Sequence, residues 1–273
     1  MTVNNGEVLI SGLSIDLTQP DPRLNCTKDF QLAKNIGLNN VLAAKCGKYL
    51  PVFSNASSAT GLVSLTIAEC DRLPLSGLAT HAGKSNDGTA KFVYSVQDLK
   101  IGSPAMDTVF SLLGGKDFGK SLVFNIKDAT ANVANGSVKQ DTTLAFGENL
   151  SRSVRFAGGV EIESLRLQDF FVYVSPTLLK QVDKNLVKYL PANVGLGLKG
   201  VVSSPQIDES TITKLLKDAA VKYGADQLFG GGKKDKGDNT ATTQEGNKKA
   251  DDPIGGLLDQ LGKKKDKKKK KDN

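Results

Sequence analysis

Tryptophan is absent from the 273 residues, histidine occurs once, and aromatic residues make up only 6%. Each scarcity removes a class of function. Sugar-binding and base-stacking surfaces lean on aromatic faces, which are few here. A nucleophile–base pair usually draws on histidine, and His81 stands alone in the polar loop Thr80-His81-Ala82-Gly83-Lys84-Ser85. Cysteine is scarce too. Cys26, Cys46 and Cys70 are 20 and 24 residues apart with no Cys-x-x-Cys, and with one histidine they cannot supply a zinc site of two thiolates and two imidazoles. Three thiols make no disulfide framework either. Free, partly buried thiols are expected, with a single Cys26–Cys46 bridge open to an oxidising compartment.

Long apolar runs are missing as well. No stretch approaches the ~18 residues of a membrane-spanning helix. The start, Met1-Thr2-Val3-Asn4-Asn5-Gly6, has neither the basic nor the apolar region of a signal peptide. It enters strand pattern within a few residues, which fits either a natural beginning further upstream or a short polar leader. Phosphate-binding loops are absent: Gly83-Lys84-Ser85 lacks the upstream glycine and the strand-to-helix setting, and Gly114-Gly115-Lys116 reads as a helix stop. Carboxylates such as Asp16, Asp21, Asp29, Glu69, Asp71, Asp98 and Asp169 are scattered without an acid–base spacing. The expectation is a protein that is not an enzyme, with no cofactor and no metal.

The net charge of +7 is concentrated at one end. Residues 231–273 carry 13 Lys against 8 acids, whereas the preceding 230 residues carry 23 basic and 21 acidic side chains. A nearly neutral body is not built to neutralise phosphates, so nucleic acid is the least expected partner. The tail opens after Gly230-Gly231-Gly232 and is too polar to fold. An apolar box at 254–261 interrupts it. The lysines Lys263, Lys264, Lys265, Lys267, Lys268, Lys269, Lys270 and Lys271 then form a candidate anionic-surface segment, with plain solvation as the rival reading.

What the body does have is alternation. Val8 and Ile10, then Leu13, Ile15 and Leu17, recur at period two. The same holds for Val63, Leu65 and Ile67, for Phe92, Tyr94 and Val96, and for Leu122, Phe124 and Ile126. The longest case runs from Gly159 through Val160, Ile162, Leu165, Leu167 and Phe171 to Val174. Slips of phase, as between Val96 and Leu99, predict bulges. One apolar and one polar face is the antiparallel signature. Helical spacing is shorter, predicting helices within 30–50, over 105–113, over 177–190 and over 208–229. Lys48-Tyr49-Leu50-Pro51 and Lys188-Tyr189-Leu190-Pro191 form a faint internal echo, each ahead of a glycine-led strand.

In residues 90–230 the pieces follow a recognisable order. Phe92-Val93-Tyr94-Ser95-Val96 comes with Asp98-Leu99-Lys100-Ile101-Gly102, then Val123-Phe124-Asn125-Ile126-Lys127 and Val160-Glu161-Ile162-Glu163-Ser164-Leu165. Gly200-Val201-Val202-Ser203-Ser204-Pro205-Gln206-Ile207-Asp208 then leads into an amphipathic helix and a Lys-rich end. This region resembles the C-terminal part of AsmA-like proteins, bacterial envelope proteins related to bridge-like lipid-transfer proteins. The resemblance implies a long twisted sheet whose apolar face lines a groove for acyl chains. It also implies a periplasmic body tethered to the inner membrane by an N-terminal helix. That helix is not in this sequence, so an upstream segment or another membrane contact would have to supply it.

The resulting expectation is a mainly β fold with a few helices. An elongated, twisted antiparallel sheet is curled into a groove or half-barrel, with short helices packing on it, over 1–229, and the tail is 230–273. The helices are few for so many strands, so part of the apolar face is expected to be open to a ligand. Val63, Leu65, Phe92, Tyr94, Leu122, Phe124, Ile162 and Leu165 are the lipid-groove candidates. The function expected is non-enzymatic phospholipid transport or outer-membrane maintenance. The partners expected are phospholipid or a membrane surface, with further envelope proteins. The alternative is a structural or protein-interaction β module with a fully packed core and no lipid.

Overall fold

Period-two patterning becomes, over most of the chain, one antiparallel sheet. The computed structural model describes residues 2–18, 20–75, 88–113, 122–150, 152–179 and 187–229. In chain order the first strands are β1 (Thr2–Val3), β2 (Gly6–Val8), β3 (Leu13–Asp16), β4 (Arg23–Cys26), β5 (Phe30–Leu38), β6 (Ser58–Asp71) and β7 (Leu73–Pro74). They are followed by β8 (Thr89–Gly102), β9 (Phe124–Ala134), β10 (Ser137–Phe146), β11 (Arg152–Glu161), β12 (Leu167–Val174), β13 (Val194–Val201) and β14 (Ser204–Ile207). The α-helices described are α1 (Asn40–Cys46), α2 (Pro104–Leu113) and α3 (Glu209–Phe229).

Eleven strands form the main sheet in the order β1-β2-β5-β6-β8-β9-β10-β11-β12-β13-β14. From β8 onward it is a meander, each strand antiparallel to the last. The strands β3, β4 and β7 form a small second sheet. Among the described residues the main sheet curls without closing into a barrel. The bend is visible in one long-range contact: Asn55 Nδ2 donates to the Ser203 carbonyl at 3.2 Å, joining the loop before β6 to the turn between β13 and β14.

Bulges produce that curl, and they share a device. Asn35, Asp98, Asp128 and Asp169 sit inside strands with φ of 52°, 50°, 50° and 44°. The strand registers shift beside them, between Ala33 and Ile36, Val96 and Leu99, Asp141 and Leu144, and Ala157 and Gly159. Asn and Asp are the side chains that best tolerate this left-handed backbone. A bulged residue loses its ladder partner, and in three of the four the neighbouring strand supplies another. The Asn35 amide donates to Ser64 Oγ at 3.1 Å, Asp98 to Asn125 Oδ1 at 3.2 Å, and Asp128 to Ser95 Oγ at 3.0 Å. Asp128→Gly should therefore leave stability nearly unchanged, while Asp128→Val, β-branched at positive φ, should lower it by about 1–2 kcal/mol in urea unfolding. Equal midpoints for the two variants would show that the bulge does not constrain this residue.

The concave face holds the core, and two helices seal much of it. On α2, Met106, Val109, Phe110 and Leu113 are all buried at helical spacing. Phe110 meets Phe124 and Phe146, ring centroids 5.5 and 6.2 Å apart, and those two lie 5.6 Å from each other. Along α3, Ile212, Leu216 and Ala219 are buried, and the Gly197 amide of β13 donates to Thr211 Oγ1 at 3.1 Å. A methyl group on Gly197 would sit 2.9 Å from Thr211 Cγ2, so the absent side chain lets helix and strand approach.

Several elements differ from their sequence pattern. The predicted helix within 30–50 is β5 followed by the seven-residue α1, because Asn39 caps a helix start there: its Oδ1 accepts the Leu42 amide at 2.9 Å. The long strand expected over 159–174 is the hairpin β11–β12, turning through 162–166 with Leu165 at φ 55°. The alternation over 7–17 divides between β2 in the main sheet and β3 in the small one. Residues 105–113 and 208–229 form helices close to the predicted bounds. Within 177–190 there is a short 3-10 turn, Pro176–Leu178, and residues 180–186 lie outside the described ones. The Lys-Tyr-Leu-Pro echo shares a local contact: Lys48 Nζ lies 5.3 Å from the Tyr49 ring centroid and Lys188 Nζ 4.8 Å from that of Tyr189.

Candidate functional site

The concave face is not sealed throughout. Strand pairing sets Val63 beside Val96, Leu65 beside Tyr94, Ala33 beside Leu65, and Phe92 beside Ala131. These inward side chains continue the row that holds Leu99 and Phe124, both fully buried under α2. Beyond Val96 the cover thins, and Val63, Leu65 and Phe92 are only half-buried. The opposite wall comes from α1 and the chain after it, through Leu42, Cys46, Tyr49, Leu50 and Phe53. Seven residues of helix reach about 10 Å, too short to roof strands of fourteen. The result is an open apolar trough of about 490 Å³.

Polar groups in and beside the trough are few and mostly engaged. Tyr94 Oη and Thr142 Oγ1 are 2.6 Å apart in a buried hydrogen bond, and burial pushes the Tyr94 phenol well above its usual pKa, so it stays neutral. Burial likewise raises the Cys46 thiol on the wall. Lys45 lines the rim as an exposed side chain and brings the trough its one charge among the lining residues. Gln140 lies across the β9–β10 ladder from Ala131, and neither of its buried amide atoms has a hydrogen-bond partner among the described residues.

Four of the eight groove candidates meet here: Val63, Leu65, Phe92 and Tyr94. The other four do not. Phe124 is fully enclosed by the α2 ring cluster, and Ile162, past the end of β11, is buried in the core with its amide bonded to the Gly136 carbonyl at 2.9 Å. Leu122 is half-buried against the core. Leu165 lies in the hairpin turn, at a separate cleft of about 380 Å³ beside Lys48 and Asn55. Ile162 and Leu165 fall in the β11–β12 turn rather than on a strand, and the reason for Phe124 is different. Alternation says which face a residue takes, but not which part of that face a helix covers. Helical spacing within 30–50 does not separate the β5 residues Ala33, Ile36 and Leu38 from the wall that begins at Leu42. The signal that separates them is Asn39 as a helix cap after the alternating pair Ile36 and Leu38. The lysines at 263–271 and His81 lie outside the described residues.

A larger hollow, about 870 Å³, lies at β10–β12 and is lined by Arg152, Arg155, Tyr173 and Thr177. It is polar, and its best-placed cation is engaged. Arg155 donates through Nε and Nη2 to both carboxylate oxygens of Asp141 at 2.7 and 2.5 Å and lies 5.3 Å from the Tyr173 ring centroid. Among the described residues no group of three or more His, Cys, Asp or Glu side chains is placed to hold a metal ion. Comparison with protein-family models, with curated proteins and with solved structures finds no match to this chain.

Proposed function

We propose that the protein shelters a phospholipid, with an acyl segment in the trough and the anionic head near Lys45, and that it catalyses no reaction. The observation that carries this reading is the half-burial of Val63, Leu65 and Phe92 on a face whose continuation is sealed. Covering exposed apolar surface is worth about 25 cal/mol per Å², and a hydrocarbon tail supplies that cover. The volume of about 490 Å³ falls within the ~300–1,000 Å³ of small-molecule sites. An ammonium at the rim of an otherwise apolar trough suits an amphiphile with a phosphate head better than a plain hydrocarbon. The AsmA-like resemblance over 90–230 supplies the setting: the bacterial cell envelope, on the periplasmic side of the inner membrane, in phospholipid transport or outer-membrane maintenance. No described helix is long and apolar enough to cross a membrane.

The test is the lipid content of the full-length chain purified from bacteria, extracted into organic solvent and measured by mass spectrometry. Stoichiometric phospholipid is expected. Lipid-free protein in repeated preparations, together with no uptake of a fluorescent phospholipid from vesicles, would favour the rival reading of a packed interaction module.

A further inference from the structure

Two of the three cysteines lie side by side, and they are not the pair that the sequence spacing left open. Just past the end of β4 the chain runs antiparallel along the end of β6. The Arg72 amide donates to Asn25 Oδ1 at 2.8 Å, and the Asp29 amide donates to the Ala68 carbonyl at 3.0 Å. Cys26 and Cys70 lie between those two contacts. The Cys70 thiol donates to the Leu24 carbonyl at 3.3 Å, which turns its sulfur toward β4, where Cys26 follows two residues after Leu24 and is close enough for each thiol to affect the other's ionisation. Both are free and half-buried, within reach of a small reagent. Cys46 is elsewhere, on the trough wall.

We infer that Cys26 and Cys70 form an intramolecular disulfide under oxidising conditions, a covalent link between the three-stranded sheet and the main sheet. With glutathione disulfide as oxidant, the Cys26 thiolate attacks one of its sulfurs, forming a mixed disulfide and releasing one glutathione thiolate. The Cys70 thiolate then attacks the Cys26 sulfur and releases the second. The two protein thiols give up two protons and two electrons, and glutathione disulfide takes them up as two thiols. Burial and the neighbouring Cys26 thiol hold Cys70 up at about 11, and burial raises Cys26 as well. Exchange is therefore slow at neutral pH and quickens as the pH rises toward 9. The link closes the loop from 26 to 70, which contains β5, α1 and most of β6. It should raise the thermal midpoint by roughly 4–15 °C.

The experiment treats the full-length chain with a glutathione disulfide buffer at pH 8.5, counts free thiols, and maps peptides without reduction. Expected are a fall from three free thiols to one and a cross-linked peptide pair holding Cys26 and Cys70. Cys46→Ser should keep that pair, and Cys26→Ser should lose it. A bridge that includes Cys46, glutathione adducts that never resolve, or three free thiols after full equilibration would each overturn the assignment. The mapping of the unaltered chain decides the matter even if a variant folds poorly.

Discussion

On the proposed lipid reading, Ala131→Phe should empty the protein of lipid while leaving it folded. Ala131 faces Phe92 across the β8–β9 ladder and forms part of the trough lining. A ring added there projects into the trough, where it takes the place of a hydrocarbon tail. Room for the tail disappears, so phospholipid per chain should fall at least about tenfold, a loss of roughly 1.4 kcal/mol or more in binding. Folding should not suffer in proportion, because a ring that fills a trough buries apolar area at about 25 cal/mol per Å². The urea midpoint should hold or rise. The two readouts together are informative. Unchanged lipid with an unchanged midpoint would place the ligand elsewhere, and a collapsed midpoint would show that no room existed beside Ala131.

Phe124→Ala should produce the opposite pattern, a large loss of stability with lipid binding retained in whatever fraction stays folded. Phe124 is completely buried, and its ring contacts those of Phe110 and Phe146. Removing such a ring costs about 3–5 kcal/mol, against a total stability of about 5–15 kcal/mol for a typical domain. Urea unfolding should show the drop as a lower midpoint at unchanged slope. A loss under about 1 kcal/mol would mean that α2 does not close on this part of the sheet. Phe124→Leu, which keeps most of the volume, should recover a large part of the deficit.

The two residues show where sequence reasoning stops. Val63 and Leu65, Phe92 and Tyr94, and Phe124 belong to the alternations of three neighbouring strands, and the pattern treats them alike. What separates a trough wall from a sealed core is the placement of α2, ten residues whose Phe110 packs on Phe124, while Leu65 and Phe92 stay half-buried. That placement depends on tertiary packing, which no local pattern records. Phase slips were legible in kind: the slip between Val96 and Leu99 is the bulge at Asp98. The slips after Gly159 were not. A bulge and a tight hairpin both interrupt alternation, and only pairing partners distinguish them. Ile162 therefore looked like a strand residue when it is a buried turn residue. The thiol pair was invisible for a similar reason. Cys26 and Cys70 are 44 positions apart in the chain, and they are brought together by two strands of different sheets.

Phe124 pairs with Leu99 across the β8–β9 ladder, and its ring closes with those of Phe110 and Phe146 on a sealed part of the same face. On the lipid reading, this gives the cargo a dead end. A tail entering past Phe92 must leave the way it came, and the head group never passes through the protein. On that same reading, the passenger would travel with the protein as a whole rather than stream along it.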